Sequence, residues 1–228
     1  MDLSDRNRKV AISRWKKVLE TETARIPHDD KSTILKSAIC GFLAGDGSVQ
    51  VRKDKLPHHY QIDFFPDDKK MLDYYCKFIK KIYNKMPSLS RRDNVFVARL
   101  SHKYIVIDLL KYCNFGIYTW NLPIELFNVP GAKEAWLRGF FSAEGYVNLN
   151  KKYIKTQSVN IEGLKQVSSL LKGFGINNNI YEYIPKNKNH SKVLLLFIGS
   201  YDSRKIFQDK IGFWHLKKEN LLKQSLSL

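Results

Sequence analysis

Two acids in this 228-residue chain are placed where they could do chemistry together. Asp46 and Glu144 are each followed by glycine, and each closes an apolar, small-residue stretch: Ile39 to Gly47 (ICGFLAGDG) and Leu137 to Gly145 (LRGFFSAEG). Such stretches read as helices, and the C-terminal end of a helix carries partial negative charge on its unpaired carbonyls, so an acid there is disfavoured by roughly 0.3–1 kcal/mol and calls for positive charge nearby. If the two helix ends meet, the carboxylates of Asp46 and Glu144, with the backbone carbonyls of Gly45 and Ala143, form a hard-oxygen site suited to Mg2+ or Ca2+. Metal ions held there could activate a water, stabilise a leaving oxygen and neutralise a phosphate, the three needs of in-line phosphodiester hydrolysis.

The two stretches are also built to meet. Gly41 and Gly45 in the first, and Gly139 and Ala143 in the second, recur four residues apart on one helix face, and the missing side-chain bulk lets two backbones approach closely. A single such helix would read as a capped core helix with a solvated acid. Here there are two, and the elements after each are alike. After the first come a strand with Val49 and Val51, a second short strand, an amphipathic helix from about Asp67 to Asn84, strands at Ser88 to Arg92 and Val95 to Ser101, and a helix at Tyr104 to Tyr112. After the second come a strand with Val147 and Leu149, a second strand, a helix from about Asn160 to Phe174, strands at Asn179 to Ile184 and Val193 to Gly199, and a helix at Asp202 to Ile211. The fold class is therefore α+β, a tandem pseudo-symmetric αββαββα repeat with an expected two-fold axis between the glycine-lined helices. The chain divides into a basic N-terminal helical extension (1–32), a first repeat (33–113), a linker with Pro123 and Pro130 (114–131) and a second repeat (132–228).

These residues resemble the LAGLIDADG homing endonucleases in their single-chain, two-motif form. Both copies keep glycine at the third and ninth places of the nine-letter motif and an acid at the eighth: Gly41, Gly47 and Asp46, then Gly139, Gly145 and Glu144. The chain departs at the sixth place, with Ala44 and Ser142, and stays small at the seventh, with Gly45 and Ala143. The resemblance implies two antiparallel four-stranded sheets forming a DNA-binding saddle in the major groove, with the acids beneath it at the central minor groove. It implies a monomeric, intron-encoded, site-specific double-strand DNA endonuclease that uses Mg2+, with Mn2+ as a substitute and Ca2+ binding without turnover. Two further roles come from the same source. Lys217, four places after Phe213 in FWHLKKENL, corresponds to a basic residue beside the scissile phosphate, where the first half has Thr119; Gln157 corresponds to a peripheral glutamine, where the first half has a residue near Phe64. The alternative is a non-catalytic nucleic-acid binder of the same fold, either a maturase acting on host intron RNA or a DNA-binding regulator.

Composition points independently to a polyanion: the formal net charge is +17. Strand residues alternate faces, and the exposed set is polar or basic. Gln50, Arg52, Lys53, Gln61, Arg91, Arg92 and Arg99 in the first half, and Asn148, Asn150, Lys152, Lys155, Lys186, Lys188 and Lys192 in the second, are candidates to read base edges or hold phosphates. Sheets of this strand length on both sides of a dyad span close to two duplex turns, roughly 20 bp. No other chemistry competes. There is no glycine-rich phosphate loop and no His-Glu-x-x-His, the His58-His59 pair reads as a DNA-facing or solvated loop, and Cys40, Cys76 and Cys113 lack zinc-type spacing and read as buried reduced thiols. Residues 1–32 read as a basic amphipathic helix with Val10, Ala11, Trp15, Val18 and Leu19, then a polar turn, placed to clamp the core or touch flanking DNA. No stretch reaches the length of a membrane span and no secretory segment opens the chain, so a cytoplasmic or organellar interior is expected.

Overall fold

The computed structural model describes residues 3–52, 59–185 and 191–227. Helix α1 (Leu3–Ala24) precedes α2 (Asp30–Asp46), the first motif helix, which Asp29 caps by accepting the Ser32 N–H at 3.1 Å. Next come β1 (Gly47–Arg52), β2 (His59–Phe64), α3 (Lys69–Tyr83), β3 (Ser88–Arg92), β4 (Val95–Leu100) and α4 (Lys103–Leu110). A 3-10 turn (Ile124–Asn128) leads to the second motif helix, α5 (Ala132–Glu144). The pattern then repeats as β5 (Tyr146–Asn148), β6 (Tyr153–Ser158), α6 (Ile161–Gly173), β7 (Asn179–Tyr183), β8 (Val193–Ile198) and α7 (Tyr201–Lys210), and α8 (Leu216–Ser227) comes last.

Each half forms one antiparallel four-stranded sheet, ordered β1-β2-β4-β3 in the first (sheet A) and β5-β6-β8-β7 in the second (sheet B). The α+β duplication is therefore as the sequence pattern predicts. Registers match as well: Ser48 pairs with Asp63 and Val49 with Ile62, as Tyr146 pairs with Lys155 and Val147 with Ile154. One difference is that β5 stops at Asn148, because the Asn148 side chain accepts the Lys151 N–H at 2.8 Å and bends the chain into a turn in which Lys152 has φ +49°. The expected strand residues Leu149 and Asn150 lie in that turn.

Helices α2 and α5 cross through their glycine faces. A Cβ on Gly139 would stand 2.6 Å from the Ala38 carbonyl oxygen, and one on Gly41 would run into that of Trp136, so the crossing tolerates hydrogen alone at both positions. The Ser37 hydroxyl donates to the Ala132 carbonyl at 2.6 Å and fixes the far end of the pair. Elsewhere on α2, Lys36 is fully buried and pairs with Asp108 of α4 at 2.9 Å, while the Tyr83 hydroxyl donates to the same carboxylate at 2.9 Å. Neither charge could be buried there without the other.

Two tryptophans exchange between the halves. Trp120, in the segment after α4, packs on Trp136 and Phe140 of α5, with ring centroids 6.1 and 5.2 Å away. Trp214, in the segment after α7, packs on Phe42 of α2 and on Tyr74 and Phe78 of α3, at 5.1, 5.6 and 5.2 Å. Each half thus completes the aromatic core of the other. Of the apolar stripe expected on α1, Val10 is 44% and Val18 51% exposed, Ala11 is exposed and Leu19 half-buried, and the helix meets the rest of the chain at its C-terminal end, against α4 and through buried Ile26. Cys40, Cys76 and Cys113 are buried free thiols. A hydrogen bond with Cys113 and burial hold the Cys40 thiol well above its ordinary range.

Candidate active site and sheet faces

The crossing delivers both acids to one place. Asp46 ends α2 and Glu144 ends α5, and a Cβ on Gly45 would lie 3.1 Å from the Glu144 Cγ. Burial pushes the Asp46 carboxyl up to about 6, with Asp67 adding to the rise and Lys218 opposing it. Burial and the neighbouring Asp46 charge push Glu144 up to about 7, again against Lys218. Both carboxyls therefore hold protons to higher pH than free side chains do, and a cation placed beside them favours their charged form.

The chain supplies one cation itself, at Lys218 rather than Lys217. The Lys218 Nζ donates to the carbonyls of Ser142 and Ala143, at 2.6 and 2.7 Å, and so binds the negative end of α5, where a buried acid calls for positive charge. Burial lowers its pKa, while Asp67, Asp46 and Glu144 hold the ammonium charged. Lys217 is exposed. Successive helix residues point about 100° apart, and α8 starts at Leu216, so the residue after Lys217 is the one aimed at the acids. The Ala143 carbonyl, expected as a metal ligand, is thereby engaged by the ammonium.

The C-terminal crossover fixes this lysine. Trp214 N–H donates to the Ser142 hydroxyl at 2.7 Å, which gives the motif's sixth-place serine a structural task. His215 is buried, with its Nε2 3.3 Å from the Asp67 carboxylate in the turn after β2, and its hydrogen bond is the first cause of the lowered Asp67 pKa. The motif spacing singles out none of Asp67, His215 and Lys218. A weaker signal is present: Trp120-Asn121-Leu122 and Trp214-His215-Leu216 share a Trp-x-Leu pattern after the last helix of each repeat.

The edges beside the two acids differ. Continuing the Tyr146–Lys155 register by two residues places Gln157 opposite Glu144, and Gln157 is exposed there. The same step from the Ser48–Asp63 pair places Phe65, rather than Phe64, opposite Asp46, and the Phe65 N–H donates to the Asp46 carbonyl at 2.9 Å. Thr119 lies in a turn in the linker segment.

On sheet A, Gln50, Arg52, Gln61, Arg92 and Arg99 share the outward face. Four of them are held in two groups: Gln61 Nε2 donates to Asp63 at 2.6 Å and Arg99 Nε to the same carboxylate at 2.8 Å, while Arg52 donates to Gln50 at 3.2 Å. Arg91 points the other way. It pairs with Phe96 on the helix side of the sheet, stacks on that ring at 5.3 Å and donates to the Asp93 carbonyl, because strand alternation opposes it to Arg92. On sheet B, Asn148, Lys155 and Gln157 face outward, while Asn150 and Lys152 sit in the β5–β6 turn. Lys192 pairs with Glu182 at 2.6 Å, which offsets its charge. His59 opens β2 and is exposed; Lys53, His58, Lys186 and Lys188 lie outside the described residues.

The donor set suits a hard divalent cation that keeps several waters. Among the described residues no group of three or more His, Cys, Asp or Glu could hold a metal by itself, so the site offers two carboxylates, and further ligands would have to come from backbone carbonyls, water and phosphate. No helix among the described residues is long and apolar enough to cross a membrane.

Residues 132–212 match the model of the LAGLIDADG-like domain. The homing endonuclease I-DmoI superposes with a TM-score of 0.62 at 17% identity, covering 80% of this chain and 97% of that one. I-WcaI bound to its DNA recognition sequence gives 0.57 at 17% identity, covering 82% and 86%. Full-length WhiA from Thermatoga maritima gives 0.56 at 16% identity, covering 92% and 64%. I-DmoI has been solved in complex with DNA and Mn and in complex with DNA and Ca. Among curated proteins of Methanocaldococcus jannaschii, a glutamine–fructose-6-phosphate aminotransferase is 25% identical over 190 residues, and a DNA polymerase is 23% identical over 216 residues. The chain spans 77% and 86% of its own length in these matches but only 16% and 12% of theirs.

Proposed function

We propose that this chain, which has the LAGLIDADG homing endonuclease fold and a LAGLIDADG-like domain over 132–212, is a metal-dependent, site-specific double-strand DNA endonuclease acting as a monomer. The observation that carries the reading is the meeting of Asp46, Glu144 and Lys218 at the crossed ends of α2 and α5, flanked by two sheets of matched register in a chain of net charge +17.

Sheets A and B would bind the two halves of a target of roughly 20 bp, with outward basic and amide side chains on phosphates and base edges. Asp46, Glu144 and the Gly45 carbonyl would hold Mg2+, or Mn2+ in its place. When bound, the cation supplies Lewis acidity and an activated water. The chain's own residues orient the rest. Lys218 places an ammonium at the acid pair, where it can stabilise charge developing on a phosphate oxygen. Gln157 stands at the Glu144 edge, in reach of ordering water, and the crossover through Trp214 and His215 holds Lys218 in position.

A second reading, nucleic-acid binding without cleavage, is favoured by Lys218 itself, whose ammonium stands beside both acids, opposes the rise in their pKa and engages the Ala143 carbonyl. In that case the partner is DNA, as for a regulator, or intron RNA, as for a maturase. The test is incubation with a plasmid library bearing randomised inserts of roughly 20 bp, in Mg2+ and in EDTA. The nuclease reading expects one family of inserts to be linearised in Mg2+ alone. Retention of a defined insert family without linearisation in Mg2+ or Mn2+ would establish the binder instead.

A further inference from the structure

The two sheets present the same lattice of outward positions with different chemistry. Register equates Ser48 with Tyr146, Gln61 with Tyr153, Arg99 with Phe197 and Ser90 with Tyr181. Four polar positions on sheet A are thus aromatic on sheet B. On sheet B the rings form a continuous band over all four strands: Tyr146 to Tyr153 at 6.5 Å, Tyr153 to Phe197 at 5.2 Å and Tyr181 to Phe197 at 5.7 Å, the last two edge-to-face. Tyr146 is 52% and Tyr181 53% exposed. Leu195 lies on the same face, paired with Gln157. An aromatic band of this extent on an outward sheet face, with Lys155, Asn148 and Gln157 set among the rings, marks a binding surface rather than a core.

The major-groove edges of the bases offer one apolar group, the C5-methyl of thymine. Arginine and glutamine instead match the paired acceptor and donor groups of guanine and adenine. We infer that the two sheets read their half-sites by different chemistry: sheet A by hydrogen bonds to purine edges, and sheet B by apolar contact between Tyr146, Tyr153, Tyr181 and Phe197 and the methyl groups of a thymine-rich half-site. This rests on the proposal that both sheets lie in the major groove of duplex DNA. The edge-to-face packing supports it, since each ring is held by its neighbours and presents a preformed surface at little entropic cost.

The test separates failure of this inference from failure of the reading beneath it. The full chain selects duplexes from a randomised library in Ca2+, and the selected site is then remade with deoxyuridine for thymidine in one half at a time. Each methyl removed opposite sheet B should weaken binding about fourfold, while substitution in the other half should change it less than twofold. Tyr153→Ser and Tyr181→Ser should abolish the deoxyuridine effect without lowering the melting temperature appreciably, and Tyr181→Phe should keep it. A selected site without thymine enrichment in either half, or equal deoxyuridine effects in both, would overturn the inference and leave the duplex reading standing. Recovery of no duplex at all would overturn both. A single-stranded RNA competing better than the selected duplex would make sheet B a base-stacking platform and would likewise overturn the methyl readout.

Discussion

The edges beside Asp46 and Glu144 have diverged, whereas the helices that carry these acids have not. At the crossing, Gly41 faces the Trp136 carbonyl and Gly139 the Ala38 carbonyl, a reciprocal fit that any side chain would spoil. A few residues on, the correspondence stops. Glu144 has Gln157 opposite it and Lys218 bound to the carbonyls of its own helix, while Asp46 has Phe65 opposite it and a second acid, Asp67, nearby. Packing constrains both copies of a duplicated fold alike, because each fills the other's space. Side chains that face solvent or a ligand answer only to their own half.

The strongest test of this comparison removes the acids. Asp46→Asn or Glu144→Gln should each reduce cleavage in Mg2+ by a factor on the order of 10³, while duplex binding stays within about tenfold, because one developing charge is stabilised by both and the sheets supply affinity. Gel-shift and cleavage assays on the selected site check this, and wild-type cutting by either variant would remove that acid from the site. Lys218→Met comes next, with a loss on the order of 10² that falls more heavily on one DNA strand, so that a nicked intermediate accumulates. Lys217→Met should cut both strands normally. Strand-specific end labels distinguish the outcomes, and equal slowing of both strands would mean the two edges are equivalent after all.

The reciprocal packing makes a prediction of sameness. Trp120→Ala and Trp214→Ala should each destabilise the protein by about 3–5 kcal/mol, and Gly41→Leu and Gly139→Leu by about 1–3 kcal/mol or more, all read as lower melting temperatures. A much smaller loss for one member of a pair would show that the symmetry of the core is only apparent. The smallest effect is electrostatic. Raised carboxyl pKa values mean that the folded, metal-free protein holds protons the unfolded chain has released, so its stability falls as pH rises. For Asp46 that penalty builds between 3.8 and about 6, and for Glu144 between 4.5 and about 7. In EDTA the melting temperature should therefore drop from pH 5 to pH 8, and Glu144→Gln should recover about 1–2 kcal/mol at pH 8 after allowance for solvent screening. A metal-free Glu144→Gln protein no more stable than the wild type would contradict the burial of that charge.

Most of the architecture is legible in the sequence because its signals are local and repeated. Strand β3 runs from Ser88 to Arg92 as its pattern predicts, and α3, α6 and α7 fall within a few residues of their expected limits. The acids are legible for another reason: a carboxylate at a helix C-terminus is locally unfavourable and invites a question about what compensates it. The answer to that question is harder to see. Lys218 is set by the phase of α8, which a one-residue error in the start of the helix shifts by about 100°. The buried Lys36–Asp108 pair joins residues 72 positions apart in sequence and leaves no periodic trace. Alternation requires one of the adjacent Arg91 and Arg92 to face the helices, and two like residues in a row hide that it is Arg91.

Trp214 also bears on how this chain is made. Its partners Phe42, Tyr74 and Phe78 are synthesised long before it, and 136 residues separate Phe78 from the indole that covers it. At ribosomal rates of about 5–20 residues per second, the first half waits roughly 7–30 s with an uncovered aromatic cluster. During that interval the nascent chain offers chaperones a sticky patch, and the order of synthesis, rather than the symmetry of the finished molecule, decides which half folds last.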